Sequence, residues 1–249
     1  MIDVRSLRMR YGPFEALKGI SFQVQSGEIL GLLGPNGAGK TTAMRILTTY
    51  LYPTAGTALI DGLDILENPL EVRRRTGYLP ETAPLYPDMR VEDYLRFVGT
   101  ARGLGGANLN RRVSWVQEAC DLKPVWKHAI AELSKGYRQR AGLAQALIHD
   151  PKVLILDEPT SGLDPLQILG IRKLIKELAR EKTIIFSTHI LQEVEAMADR
   201  IVIIHDGGVV AQGTQAELEA HARPKAGKAG PLSLEDIFIA LLTATSHEP

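Results

Sequence analysis

The sequence predicts an α/β fold built on a mainly parallel sheet, with an N-terminal antiparallel β subdomain and an inserted α-helical subdomain. Three observations predict it. Residues 29–33, 153–156 and 183–186 are short, almost continuously apolar runs, the pattern of strands covered on both faces in a parallel sheet. An amphipathic stretch over residues 166–180 separates the last two, and strand–helix–strand order with apolar strands favours parallel pairing under a covering helix. Residues 19–25 (Gly-Ile-Ser-Phe-Gln-Val-Gln) instead alternate apolar with small or polar side chains, as a half-buried antiparallel strand does. From about residue 91 to 149 the chain reads as helices separated by Gly103 to Gly106 and by Pro124. This is the insertion, at about residues 88–150.

The chain has 249 residues, 45% hydrophobic and 23% charged, an ordinary globular composition with enough length for a large core. Lys plus Arg number 29 and Asp plus Glu number 29, so the chain lacks the basic excess of a general nucleic-acid binder. Cys120 is the sole cysteine, which excludes an intramolecular disulfide and fits a reducing cytosol. The opening residues Met1 to Arg5 carry charge early with no long apolar run behind them, unlike a secretory leader. No stretch approaches the roughly 18 to 20 apolar residues of a spanning helix. Any membrane role is therefore expected to come through a partner.

A body over residues 1–213 is followed by an extension, 214–249, with a short helix and a small, basic linker at about 223–231. Such a linker cannot build a core. Ser233-Leu234-Glu235-Asp236 then has the form of a capping box. Leu234, Ile237, Phe238, Leu241 and Leu242 share one helical face, suited either to docking on the body or to a partner.

The run Gly34-Pro35-Asn36-Gly37-Ala38-Gly39-Lys40-Thr41-Thr42 fits the phosphate-binding P-loop, which makes the core that of a P-loop NTPase. Its glycines let backbone amides converge on phosphate oxygens where side chains would block approach. Lys40 is placed to reach the β and γ phosphates of ATP, and Thr41 to offer its hydroxyl to Mg²⁺. The helix that begins here points its positive end at the same anion. Asp157 and Glu158 close the apolar run at 153–156, where ligands of parallel sheets bind. Asp157 suits Mg²⁺, directly or through water, and Glu158 suits deprotonation of an attacking water.

Leu133-Ser134-Lys135-Gly136-Tyr137-Arg138-Gln139-Arg140 resembles the signature sequence of ABC ATPases, with Leu, Ser, Gly, Gln and Arg at the family positions. Lys135 and Tyr137 depart from the commoner Gly and Gln. Ser134 also reads independently as a helix N-cap. Other family marks follow in order: Tyr11 resembles the aromatic that stacks on adenine, and Glu81 occupies the position of the Q-loop glutamine. Ser161-Gly162-Leu163-Asp164 resembles the D-loop, and His189 the switch histidine at the γ-phosphate. The resemblance covers about residues 6–213.

The resemblance implies a Mg²⁺-dependent ATPase that forms a head-to-tail homodimer. Ser134 and Gly136 of one copy would close over ATP held by the other, with Asp164 connecting the two sites. It implies Glu158, His189, Lys40 and Glu81 as catalytic residues and Thr41, Glu81 and Asp157 around the metal. It also implies transmembrane permease subunits as partners, contacted by the Glu81 loop and the insertion, and a cytoplasmic location on the inner face of the cell membrane. Pro80, Pro84 and Pro87 with Leu85 and Tyr86 fit either a stiff docking loop or an ordinary connection. Tyr78 to Glu81, Leu133 to Tyr137 and Ser233 to Phe238 resemble type-2 exporters, the branch serving drug, ion, polysaccharide and gliding-motility systems. The competing reading is a non-transport ABC ATPase acting on ribosomes or DNA. A small-molecule kinase shares the P-loop but does not account for Ser134, Glu158 and His189 together.

Overall fold

The computed structural model describes residues 1–226 and 230–245. The chain begins with β1 (Ile2–Tyr11), β2 (Phe14–Val24), β3 (Ile29–Leu33), α1 (Lys40–Leu47), β4 (Ala55–Ile60), β5 (Leu63–Asp64), α2 (Pro69–Arg75) and β6 (Thr76–Leu79). The insertion follows as α3 (Val91–Ala101), α4 (Gly106–Ala119) and α5 (Lys135–Leu147). The chain then returns to the sheet through β7 (Val153–Asp157), α6 (Pro165–Leu178), β8 (Thr183–Thr188), α7 (Leu191–Met197), β9 (Arg200–His205) and β10 (Gly208–Gly213). Helices α8 (Gln215–Ala226) and α9 (Leu234–Thr245) complete it.

A six-stranded sheet has the order β10-β9-β3-β8-β7-β6, parallel throughout except for the antiparallel edge strand β10. A four-stranded antiparallel sheet, β2-β1-β4-β5, lies against it. All residues of β3 and β7 are buried, and the reason is a core on each face. Side chains alternate along a strand. Leu154 and Leu156 therefore face the helices α3 to α9, while Val153 and Ile155 face α1 and the antiparallel sheet. Continuous apolarity is thus two interleaved period-two patterns.

The insertion packs tightly on β6. A Cβ on Gly77 would fall 2.2 Å from the Ala146 carbonyl oxygen, so only glycine permits this approach. Arg112 donates to the carbonyls of Leu147 and Ile148 at 2.8 and 3.1 Å, satisfying acceptors at the end of α5. The proline-rich connection before α3 is pinned rather than free: Ile130 and Ala131 donate to the Met89 and Pro87 carbonyls at 2.9 and 3.0 Å. Tyr86 makes edge contact with Tyr94 at 5.7 Å between ring centres.

The tail helix docks on the body, with Leu234, Ile237 and Leu241 in the same core as Val194 and Met197. Its capping box forms reciprocally, Asp236 N–H to Ser233 Oγ at 3.1 Å and Ser233 N–H to Asp236 Oδ2 at 3.2 Å. The expected linker starts later than the composition suggests. Helix α8 continues through Ala226, because Ala222 is buried and Arg223 pairs with Glu219 one turn back. Residues 227–229 of that linker lie outside the described residues. Among the described residues, no helix is long and apolar enough to cross a membrane.

Candidate nucleotide and catalytic site

The loop from Gly34 to Gly39 joins buried strand β3 to α1, and its glycines are dictated by its neighbours. A Cβ on Gly34 would lie 2.2 Å from the Ile204 carbonyl oxygen. Gly39, at φ 105°, would bring a Cβ within 2.6 Å of the Ala16 carbonyl oxygen, and that backbone region favours glycine. The loop folds back on Lys40, whose Nζ donates to the carbonyls of Gly34 and Pro35 at 2.8 and 3.2 Å. The same ammonium stands 3.6 Å from Glu158 Oε1. Lys40 is 6% exposed and Glu158 7%, so this charge pair is largely withdrawn from water.

Strands β7 and β8 bring the remaining groups to their carboxyl ends. Asp157, 1% exposed, accepts from Ser187 Oγ at 2.5 Å and from Thr41 Oγ1 at 3.2 Å, both through Oδ1. Its other oxygen, Oδ2, is buried without a hydrogen-bond partner. Glu158 takes φ 48°, a left-handed conformation that costs a non-glycine residue energy and persists only where its surroundings enforce it. Its N–H donates to the Ser187 carbonyl at 3.2 Å and lies 3.0 Å from Ser187 Oγ. His189 Nδ1 is 3.1 Å from both Glu158 carboxylate oxygens.

Lys40, Thr41, Glu158 and His189 line one open cleft of about 610 Å³, with Tyr11, Asn36, Gly37, Gly39, Thr42 and Glu81 on its walls, while Asp157 is buried behind Thr41 and does not line it. Glu81 is exposed. Gly34 and Ala38 are buried behind the loop. Three expected residues stand elsewhere. Ser134 caps α5, accepting from Tyr137 N–H at 3.3 Å, and Asp164 caps α6, accepting from Gln167 N–H at 2.9 Å. Gly136 is packed under Gln167, so that a Cβ there would fall 2.2 Å from its Oε1. None of the three lines the cleft. Lys135 lies across Gly162, where a Cβ would come within 2.0 Å of Nζ, so the start of α5 and the 161–164 turn pack as one surface.

Phe14 and Ala16 also line the cleft, and Ser187 holds Asp157; sequence reasoning singled out none of these, and it named Ser161, a further lining residue, only as part of the 161–164 motif. Phe14 pairs with Tyr11 across the turn between β1 and β2, and two aromatics flanking Gly12-Pro13 were its available signal. Ser187 carries no local signal, since its role comes from a partner thirty residues away in sequence.

The donors around Asp157 fit a hard divalent cation: a threonine hydroxyl, a buried carboxylate and one carboxylate oxygen still without a partner. Mg²⁺ bound to nucleotide typically takes one or two protein oxygens and completes its shell with phosphate and water.

A glycine loop between a buried strand and a helix, facing an acid pair at the end of β7 two strands along the same sheet, defines the class of P-loop nucleoside triphosphatases. The sequence profile described as ABC transporter matches residues 17–161, more than half of the chain. The probable multidrug ABC transporter ATP-binding protein YbhF of Escherichia coli is 39% identical over 89% of this chain, which spans only 38% of that relative. Nod factor export ATP-binding protein I of Ralstonia nicotianae is 39% identical, covering 89% of this chain and 69% of the relative. A solved ATP-binding subunit of an ABC transporter superposes with a TM-score of 0.86 at 32% identity, covering 97% of this chain and 99% of its own. A bacterial ABC transporter cassette solved as a dimer gives 0.79 at 25% identity, covering 86% and 98%. The chain belongs to the ABC transporter ATP-binding family.

Proposed function

We propose that this chain is the ATP-hydrolysing motor subunit of a membrane exporter, acting as a homodimer with separate transmembrane permease subunits. The observation that carries the reading is the division of the expected site. Lys40, Thr41, Glu158 and His189 line one cleft with Asp157 bound behind Thr41, while Ser134 and Asp164 cap helices outside it and Gly136 packs under Gln167. In the head-to-tail arrangement, the second half covers nucleotide held by the first half of another copy. The relative solved as a dimer supports a two-copy assembly.

In this reading the loop amides and Lys40 hold the β and γ phosphates, and Tyr11 stacks on the base. Thr41, Asp157 and Glu81 hold Mg²⁺, which neutralises phosphate charge when bound. Glu158 orients and deprotonates the attacking water, and His189 contacts the γ-phosphate. Lys40 exchanges the Gly34 and Pro35 carbonyls for phosphate oxygens, a stronger charge-assisted bond. Residues 1–213 form the ATPase domain with the insertion at about 88–150, and 214–249 form a docked extension. Ligand-driven closing and hydrolysis-driven opening then shift a two-state equilibrium. The multidrug and Nod factor export names of two relatives support export. In this reading the chain sits peripherally on the cytoplasmic face, held there by its permease partners.

The test is phosphate release by the purified chain with and without Mg²⁺, beside affinity purification from membranes. Metal-dependent release and recovery of a multi-span membrane protein are expected. Release unaffected by chelator, or recovery of ribosomes or DNA in its place, contradicts the proposal.

A further inference from the structure

We infer that Glu193 is a positioning residue that braces the two catalytic loops against each other. The inference rests on the proposed roles of Glu158 and His189. Glu193 is completely buried, at 0% exposure, and takes no part in the cleft. Both of its carboxylate oxygens are occupied. Oε1 accepts from Thr160 Oγ1, and Oε2 accepts from Thr188 Oγ1 at 2.6 Å. Thr160 lies two residues after Glu158, and Thr188 immediately precedes His189. One side chain therefore joins the segment bearing the expected base to the segment bearing the expected γ-phosphate contact.

The brace extends in both directions. Thr188 Oγ1 accepts from Ile190 N–H at 3.0 Å, which fixes the backbone on either side of His189. Pro159, between Glu158 and Thr160, has its carbonyl bound by Gln139 Nε2 at 3.1 Å. Gln139 belongs to α5, the helix capped by Ser134. The chain of contacts therefore runs from the signature helix through Pro159 and Thr160 to Glu193, then through Thr188 to His189.

The strained backbone explains why such a brace is needed. Glu158 at φ 48° is held on its N-terminal side by Ser187. On its C-terminal side the nearest side-chain tethers are those on Pro159 and Thr160. A strained residue relaxes unless both flanks are fixed, and sub-ångström drift of a general base is enough to slow the reaction it serves. Among the described residues no cation pairs with Glu193, and its carboxylate is held by these two hydroxyl donors.

The test uses the full chain and four variants: Glu193→Ala, Glu193→Gln, Thr160→Val and, in parallel, Glu158→Gln. Turnover, nucleotide affinity and melting temperature are measured for each. Removing an outer-layer partner of a catalytic group typically costs about 10- to 100-fold. Glu193→Ala and Thr160→Val should lose that much in kcat, with affinity for the nucleotide within about threefold of the parent, because ground-state contacts are untouched. Glu193→Gln keeps one acceptor and gains a donor that Thr160 can accept, so it should recover most of the turnover. Where Glu193→Ala fails to fold, the near-isosteric Thr160→Val decides. Parent-like kcat in Thr160→Val overturns the inference, as does a loss confined to KM. Glu158→Gln with full turnover overturns the underlying site assignment instead, which keeps the two failures distinct.

Discussion

The nucleotide cleft and the surface formed by the starts of α5 and α6 use the same vocabulary, polar side chains at helix beginnings and strand ends, to opposite effect. At the base of the cleft the charged groups are tied to one another or to the loop: Lys40 to two loop carbonyls, Asp157 through one oxygen to Ser187 and Thr41, Glu158 to Ser187 and His189. On the other surface Ser134 and Asp164 are exposed, and each caps only its own helix. Preorganisation of this kind lowers the cost of holding charge in place. An exposed cap carries no such investment and leaves acceptor capacity facing outward. The difference teaches that one copy pairs a preorganised cleft with an exposed, loosely committed surface, which under the proposed dimer would be a binding half and a covering half.

The largest effect should come from the cleft. Glu158→Gln is expected to lower turnover by about 10²- to 10⁴-fold, the usual contribution of general base catalysis, while still binding ATP; phosphate release and equilibrium binding measure the two separately. Next, Lys40→Ala should weaken nucleotide affinity by about a hundredfold, roughly 3 kcal/mol, in a fluorescent-nucleotide titration. Unchanged affinity would break the comparison at its stronger side. Ser134→Ala should cost only about 1 kcal/mol of stability as a lost cap, yet lower turnover well beyond that if it covers a second copy's nucleotide. Parent-like turnover would leave Ser134 a cap and nothing more. Glu81→Gln should be the mildest cleft change, preserving metal-dependent hydrolysis, because glutamine keeps a carbonyl oxygen for the metal.

A pH effect lies outside both surfaces. Burial, reinforced by Arg102, pushes His149 down to about 4 from 6.5, and its Nε2 sits 3.1 Å from the Thr76 carbonyl oxygen. The folded-state value is depressed, so the unfolded chain binds the proton first. Stability is fully present above pH 6.5 and declines as pH falls towards 4. His149→Gln should flatten that part of the melting-temperature profile; an unaltered slope would assign it to other groups.

Much of the fold was legible because burial on both faces leaves a mark that needs no partner to interpret. The apolar runs at β3, β7 and β8 and the glycine loop after β3 are local signals. Strand β10 was harder, since it is short, has a glycine at each end, and takes its order from pairing with β9. The end of α8 was misplaced because small and basic residues read as linker, whereas Ala222 is buried in the core and Arg223 pairs with Glu219 within α8. Within the site, motif residues were visible and their supports were not. Thr160, Ser187 and Glu193 are ordinary in sequence and acquire meaning only when β7, β8 and α7 come together.

The account's central claim is that the start of α5 covers nucleotide held by a second copy. Asn36→Cys and Ser134→Cys, introduced on separate copies in the Glu158→Gln background, test it most directly by disulfide cross-linking. Native Cys120 is fully buried, with its thiol pushed up to about 12, and does not compete. Magnesium and ATP together should produce a cross-linked dimer that is absent without nucleotide. Failure to cross-link under saturating ATP, with both cysteines reactive towards a small thiol reagent, would contradict the claim.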